Sequence, residues 1–259
     1  MPRDCQYWIL QSIRILDECG WQTHVDEPRA PPRIVAADRT SETRFPAASG
    51  VGELRGVVHE TSSVPVGGFV IAHGRSNDLR NPLVRRVASA AADAGWWALR
   101  FNFGYVETKS RASRDLSVEE RDLLGAVRMA RKAVGTRPVV VAGKSMGARV
   151  AARASADPDV AGVVALGYPL HPRFRPEVRN PPEWPKLVKP ALFVQGDHDP
   201  FCSLERLNEE VARLPQPHEV AIIRDAGHSF EPIGSKRDTF PEVWAAVRPW
   251  LDGTIARAG

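Results

Sequence analysis

Cysteine is scarce in this chain of 259 residues: Cys5, Cys19 and Cys202 are the only three. Thiols so few and so dispersed make neither a disulfide framework nor a zinc ligand set, and they fit a reducing cytoplasm. Long hydrophobic runs are missing too. None approaches the roughly 18 apolar residues of a spanning helix, so no membrane partner is expected. The N-terminal Trp8-Ile9-Leu10 cluster is broken by Gln11, Ser12 and Arg14, with no small-residue cleavage site behind it, which makes a poor signal peptide. There is no dense block of one charge. The 35 basic residues are scattered among 31 acidic ones for a net charge of +4, without the basic and aromatic stripe that would point to nucleic acid. No internal repeat is visible.

What is present is a core-forming chain, 43% hydrophobic and 25% charged, of a length that suits one large α/β domain. Residues 1–50 read as an N-terminal extension. Ile9, Ile13 and Leu16 share one face of a short helix, and the Pro- and Arg-rich stretch 27–33 reads as linker. A flap over the site or an oligomer contact, giving a homodimer, is the functional alternative for it. From residue 51 to 259 the pattern becomes regular. Apolar runs at 54–58, 68–72, 96–103, 139–142, 160–166, 191–195 and 219–224 predict strands. Between them lie helical patterns at 82–94, 117–134, from near Met146 to 156, 204–214 and 240–251. Asn81-Pro82 is a helix start, with a capping residue followed by proline at the first turn. Ser117 to Glu120 reads as a capping box, and the polar stretch 104–115 as a long loop. Short unalternating strands between helices predict a mostly parallel sheet of seven or eight strands with helices on both faces. Function in such sheets gathers at the C-terminal strand ends.

One such end is Gly143-Lys144-Ser145-Met146-Gly147, between the buried run Val139–Ala142 and an Ala-rich helix. A G-x-S-x-G at a sharp strand-to-helix turn lifts the central side chain clear, and its glycines stand where no Cβ fits. Ser145 then sits at a helix N-terminus, where free N–H groups favour developing negative charge, and it is the candidate nucleophile. Gly143-Lys144-Ser145 also resembles the end of a phosphate-binding loop. That motif needs glycine at position 138, which is Pro138, and a flexible loop where valines stand. Lys144 is accordingly a spectator.

A serine nucleophile needs a base. His228, in the small Asp225-Ala-Gly-His-Ser-Phe230 loop after the last strand, can reach across to it. The base needs a carboxylate, and Gly196-Asp-His-Asp-Pro200 offers Asp197 and Asp199, of which only one can face His228. Local turn chemistry is the ordinary use of such aspartates. A metal reading of Asp-His-Asp finds no second cluster at ligand spacing, so no metal is expected. Serine, aspartate and histidine follow three separate strands in that chain order, the order of the α/β-hydrolase arrangement.

Residues from about Glu53 to Leu251 therefore resemble the α/β-hydrolase superfamily, and within it the small dienelactone-hydrolase-like enzymes. The resemblance rests on His73-Gly74, Arg100-Phe-Asn-Phe103, the Gly143–Gly147 elbow, Gly196–Pro200 and Ala226-Gly-His-Ser-Phe230. It implies a serine hydrolase of carboxylic esters needing no cofactor. It also implies Asp199, three residues after the glycine, as the acid, and the N–H groups of Met146 and Arg75 as the oxyanion hole. His73 reads as a residue that fixes its loop. The same residues would serve a thioesterase, peptidase or acyltransferase, and a scaffold that keeps the fold without the chemistry is a further alternative. The 24-residue segment 167–190 stands where this fold inserts a lid and is too short for a helical cap. A small-molecule ester with a short acyl chain or a small lactone ring is the expected partner. Tyr168, His171, Phe174 and Trp184 are candidate pocket walls. Arg75, Arg80, Arg173 and Arg175 are candidates for attracting a substrate carboxylate.

Overall fold

The computed structural model describes residues 39–50, 52–178 and 186–258. The helix expected at residues 9–16 and the pocket residue Trp184 lie outside them. Eight strands form one sheet in the order β1-β2-β4-β3-β5-β6-β7-β8. They are β1 (Thr40–Pro46), β2 (Glu53–His59), β3 (Gly67–Ala72), β4 (Trp96–Phe101), β5 (Val139–Lys144), β6 (Val160–Leu166), β7 (Ala191–Gly196) and β8 (His218–Ile223). β2 runs antiparallel to β1 and to β4, and every other neighbouring pair is parallel. The sheet therefore starts at Thr40, ahead of the expected boundary at residue 51. Of β1 only Phe45 is buried, because an edge strand packs against one neighbour and keeps polar residues elsewhere.

The helices are α1 (Pro82–Asp93), α2 (Gly104–Glu107), α3 (Ser117–Val134), α4 (Met146–Ala154), α5 (Leu204–Val211) and α6 (Phe240–Ala258). Successive strand residues point to opposite faces, and the core divides accordingly. Val70, Leu99, Val139, Val141, Val163 and Phe193 pack with Leu123, Val127, Val150 and Leu207 of α3, α4 and α5. Phe69, Ala98, Val140, Val164, Leu192 and Val194 pack with Val84, Val87, Val243 and Leu251 of α1 and α6. Strands apolar on both faces are what a sheet covered on both sides requires. Among the described residues no helix is long and apolar enough to cross a membrane.

Asn81 caps α1 as expected, its side-chain oxygen accepting from the Val84 N–H at 3.2 Å. The capping box at 117–120 does not form. Leu116, at φ 61°, precedes the helix and Ser117 is its first residue. Asp115 takes both the N–H and the hydroxyl of Ser117, while Glu120 is drawn away to Arg153 and Lys186. The expected loop at 104–115 opens with the single turn α2, started by the Gly104 N–H donating to buried Asp122 at 2.8 Å. Burial pushes the Asp122 carboxyl above the usual range. α6 runs past the expected end at Leu251, since Thr254 and Ile255 return to the face that buries Trp250 and Leu251.

The chain leaves β3 toward β4 on one side and later fills β5 on the other. That reversal opens a crevice beyond the C-terminal ends of β3 and β5, where open α/β sheets place ligands. The 73–81 loop follows β3 there, and Ser145 follows β5.

Candidate active site

Ser145 joins β5 to α4 with φ 56° and ψ −117°, a backbone conformation that costs a non-glycine residue energy. The fold leaves no other route. A Cβ on Gly143 would lie 2.1 Å from the Gly147 carbonyl carbon, and one on Gly147 would lie 2.6 Å from the Ala72 oxygen. Strand, helix and the end of β3 therefore touch backbone to backbone. The strained residue is held by its N–H donating to Leu166 at 3.0 Å and its carbonyl accepting from Ala148 at 2.9 Å.

The structure brings Ser145, His228 and Asp199 into one line. His228 Nε2 is 2.8 Å from Ser145 Oγ, and its Nδ1 is 2.7 Å from Asp199 Oδ2. With the proton on Nδ1 the imidazole donates to the carboxylate and accepts from the serine hydroxyl. The His228 side chain is 14% exposed and that of Asp199 0%, so the charged end of the line is dry and the serine end opens outward. Asp199 is held further by the Phe201 N–H at 2.8 Å on Oδ1 and by Gln195 Nε2 on Oδ2. The Phe201 ring lies 4.5 Å from the imidazole, tilted by 46°. Asp197, the competing aspartate, binds the Ala226 N–H and His198 instead. Asp197, His198 and the nearby Asp225 offer ligand atoms within 4.8 Å of one another, but Asp197 is already committed to holding the His228 loop.

The loop after β3 stands against the elbow: a Cβ on Gly74 would lie 3.5 Å from the Ser145 Cβ. His73 fixes this loop as expected. Its Nδ1–H donates to the Gly74 carbonyl at 2.8 Å and its Nε2 accepts from the Phe103 N–H at 3.3 Å. Burial holds its pKa below the ordinary value, so the ring is neutral. The Gly74 carbonyl also accepts from the Asn77 N–H at 3.2 Å. Because a trans peptide sets its N–H opposite its carbonyl, the Arg75 N–H is directed away from that cluster. Arg100 donates to the Leu79 carbonyl at 2.7 Å and Asn102 accepts from the Leu79 N–H at 2.8 Å, so the β4 motif clamps the far end of the same loop.

Several contributors were not legible in the sequence. Gln195 bridges the Tyr168 N–H and Asp199, and its one signal is a polar residue inside an apolar strand. Gly167, at φ +60°, leaves room for the His228 carbonyl, which would be 2.6 Å from a Cβ there. The Tyr105 hydroxyl donates to the Arg75 carbonyl at 2.8 Å. Lys144, the spectator of the sequence reading, is buried, with 5% exposure. Burial holds its pKa below the ordinary lysine value, partly offset by Asp199 and Glu231.

The expected pocket walls divide. Tyr168 is core, edge-on to Phe193. His171 is a pin, accepting the Ser203 N–H at 2.9 Å. Phe174 is 71% exposed. Of the mouth arginines, Arg80 pairs with Asp78 and Arg175 with Glu177, while Arg173 lies over the Phe174 ring. Arg75 is exposed. A cavity of about 210 Å³ lies between Pro82-Leu83 and the turn Ser229–Pro232 that follows His228, with Phe230 and Phe240 among its walls.

Residues 66–254 match the family model described as an alpha/beta hydrolase domain. Among solved structures, the chain is similar to a dienelactone hydrolase from Anabaena variabilis, with a TM-score of 0.67 and 22% identity over 83% of this chain and 98% of that one. It is similar to an alpha-beta serine hydrolase homologue from Coxiella burnetii, with a TM-score of 0.61 and 22% identity over 84% and 96%. A third is a Xanthomonas campestris protein described as an a/b serine hydrolase without lid, with a TM-score of 0.62 and 20% identity over 89% and 97%.

Proposed function

Because the chain belongs to the alpha/beta hydrolase family, we propose that it is a serine hydrolase cleaving carboxylic esters through an acyl-enzyme on Ser145. The observation that carries this reading is the continuous line from Ser145 Oγ through His228 to a fully buried Asp199, at 2.8 and 2.7 Å. His228 Nε2 takes the hydroxyl proton as Ser145 Oγ attacks the ester carbonyl, and Asp199 stabilises the imidazolium that results. The oxyanion of the tetrahedral intermediate is held by the N–H groups of Met146, at the start of α4, and Arg75. Each such donor is worth about 10²–10³ in turnover. The imidazolium then gives its proton to the leaving alkoxide, the C–O bond breaks, and Ser145 is left acylated. Water enters, loses its proton to His228, and attacks the acyl carbon. Collapse of the second intermediate returns the proton to Ser145 and frees the acid.

The substrate is a short-acyl or small-ring ester. Tyr168 and His171 are committed to packing and to Ser203, so neither walls a path for a long acyl chain. The similar proteins described as a dienelactone hydrolase and as a hydrolase without lid support a small-ring or short-acyl substrate. The test is a panel of esters and lactones graded from acetyl to dodecanoyl, with Ser145→Ala as control. Hydrolysis is expected to be highest at the short end and abolished in the control. Strong preference for long chains refutes the substrate class. Turnover of thioesters or amides above every ester refutes ester chemistry.

A further inference from the structure

A cleft of about 550 Å³ opens over the antiparallel end of the sheet, where β1, β2 and β4 meet the far end of the 73–81 loop. None of its lining residues belongs to the triad. Strand register sets two rungs of side chains on its face. Glu42 of β1 stands opposite Val57 of β2, and Val57 opposite Arg100 of β4. Two residues along each of β1 and β2, and therefore on the same face, Arg44 stands opposite Arg55. Asn102 continues that rung, its N–H donating to the Arg55 carbonyl at 2.8 Å. Leu79 and Arg80 close the cleft from the loop. Val57 is buried but joins neither of the two packed cores, which leaves it as apolar floor.

Like charges directly opposite on paired strands destabilise a sheet, and Arg44 with Arg55 is such a pair. Arg55 gives its Nε to Glu107 at 2.9 Å, while its two terminal nitrogens bond no other described residue. The side chains of Arg44 and Glu42 make no hydrogen bond or ion pair with a described residue. Arg80 pairs with Asp78 at 2.7 Å. Arg100, 7% exposed, gives its Nε to His59 Nε2 and its Nη1 to the Leu79 carbonyl. Four guanidiniums therefore meet three carboxylates, those of Glu42, Asp78 and Glu107. The donors left over, on Arg44 and at the end of Arg55, share one rung. We propose that this cleft binds a small organic anion, a phosphate monoester or a carboxylate, whose charged group bridges Arg44 and Arg55. The guanidinium fork matches the paired oxygens of either group, and a bound anion turns the like-charge rung from a cost into a clamp. The volume lies in the range of small-molecule sites and far exceeds one phosphate. Glu42, one rung along, repels a second acidic group and accepts from hydroxyls, so the body of the ligand is a polyol.

The test is isothermal titration calorimetry on the full chain with ribose 5-phosphate, gluconate and inorganic phosphate, at low and at physiological salt. Ribose 5-phosphate or gluconate is expected to bind with a Kd below about 1 mM and more tightly than inorganic phosphate, and the better of the two names the charged group. Affinity is expected to fall as salt rises. Arg44→Gln and Arg55→Gln are each expected to weaken binding at least about tenfold. Arg248→Gln, at an exposed arginine on α6, is expected to leave it unchanged. The proposal is overturned if neither organic anion binds below about 1 mM, or if affinity is unchanged in a folded Arg44→Gln protein. An equal loss in Arg248→Gln also overturns it, because overall charge would then be the cause. If Arg44→Gln does not fold, Arg55→Gln decides: the same weakening supports the proposal and unchanged affinity overturns it. Binding is read without turnover, so the result stands apart from the reading of Ser145.

Discussion

Replacing Asp199 by asparagine isolates the buried end of the line with almost no change in shape. Three donors converge on this carboxylate: His228 Nδ1–H and Gln195 Nε2 on Oδ2, and the Phe201 N–H on Oδ1. An asparagine offers one oxygen and one NH₂, so either orientation sets a donor against a donor. With the amide nitrogen toward His228, the imidazole must expose a bare Nδ1 and move its proton to Nε2. It then points a proton at Ser145 and cannot accept one. That fault in a serine, histidine and aspartate set costs about 10⁴ in kcat, which is about 5.5 kcal/mol in the barrier. With the nitrogen toward Phe201 the tautomer survives, but an N–H faces an N–H at a site whose side chain is 0% exposed. A buried unmatched donor costs about 1–3 kcal/mol of stability. The assay is kcat and KM on the best ester of the panel, with a thermal melt for each variant. Asp199→Asn should lose about 10³–10⁴ in kcat with KM little changed. Asp197→Asn, at the aspartate that binds Ala226 and His198, should stay within about tenfold, as expected of a residue that acts only through its loop. Activity of Asp199→Asn within tenfold of wild type, or a larger loss in Asp197→Asn, refutes the assignment of the acid.

The strain at Ser145 has its own signature. At φ 56° a glycine is relaxed and an alanine is not, so Ser145→Gly should be more stable than Ser145→Ala by about 1–2 kcal/mol in denaturant titration. Equal stabilities would contradict the backbone geometry of the elbow. His73 predicts a pH effect on folding. Burial lowers its folded-state pKa below the ordinary 6.5, so the unfolded chain takes up the proton first and stability is lost as pH falls through that value. The wild type should lose up to about 1.4 kcal/mol per pH unit below about pH 6.5 relative to His73→Gln, read from melts at each pH. Parallel pH profiles for the two proteins would show that the ring is not buried neutral.

The parts of the site that could be read from the sequence are those whose chemistry demands a fixed local pattern. Gly143 and Gly147 announce the elbow because backbone meets backbone there, and Asn81-Pro82 announces α1 because cap and first turn have narrow requirements. The choice between Asp197 and Asp199 could not be made from residue types alone, since both sit in the same turn. It depends on which carboxylate the turn sends inward, and here Gln195 and Phe201 hold Asp199 there. β1 escaped notice because an edge strand that buries only Phe45 carries no apolar run. Ser117–Glu120 matched a capping box in composition, but Asp115 reached Ser117 first and distant Arg153 and Lys186 claimed Glu120. The burial of Lys144 was equally out of reach of the sequence. A lysine reads as solvated until the fold closes around it, and the loop that buries it comes from seventy residues earlier in the chain.

The central claim is that one serine is nucleophilic and is made so by its two partners. Wild-type protein is treated with a fluorophosphonate, its intact mass is measured, and the adduct is mapped by peptide sequencing, alongside Ser145→Ala, His228→Ala and Asp199→Asn. A single adduct on Ser145, absent in Ser145→Ala and slowed at least about a hundredfold in the other two, is the result this account predicts. An unmodified wild type, or an adduct formed equally well without Ser145 or without His228, would contradict it.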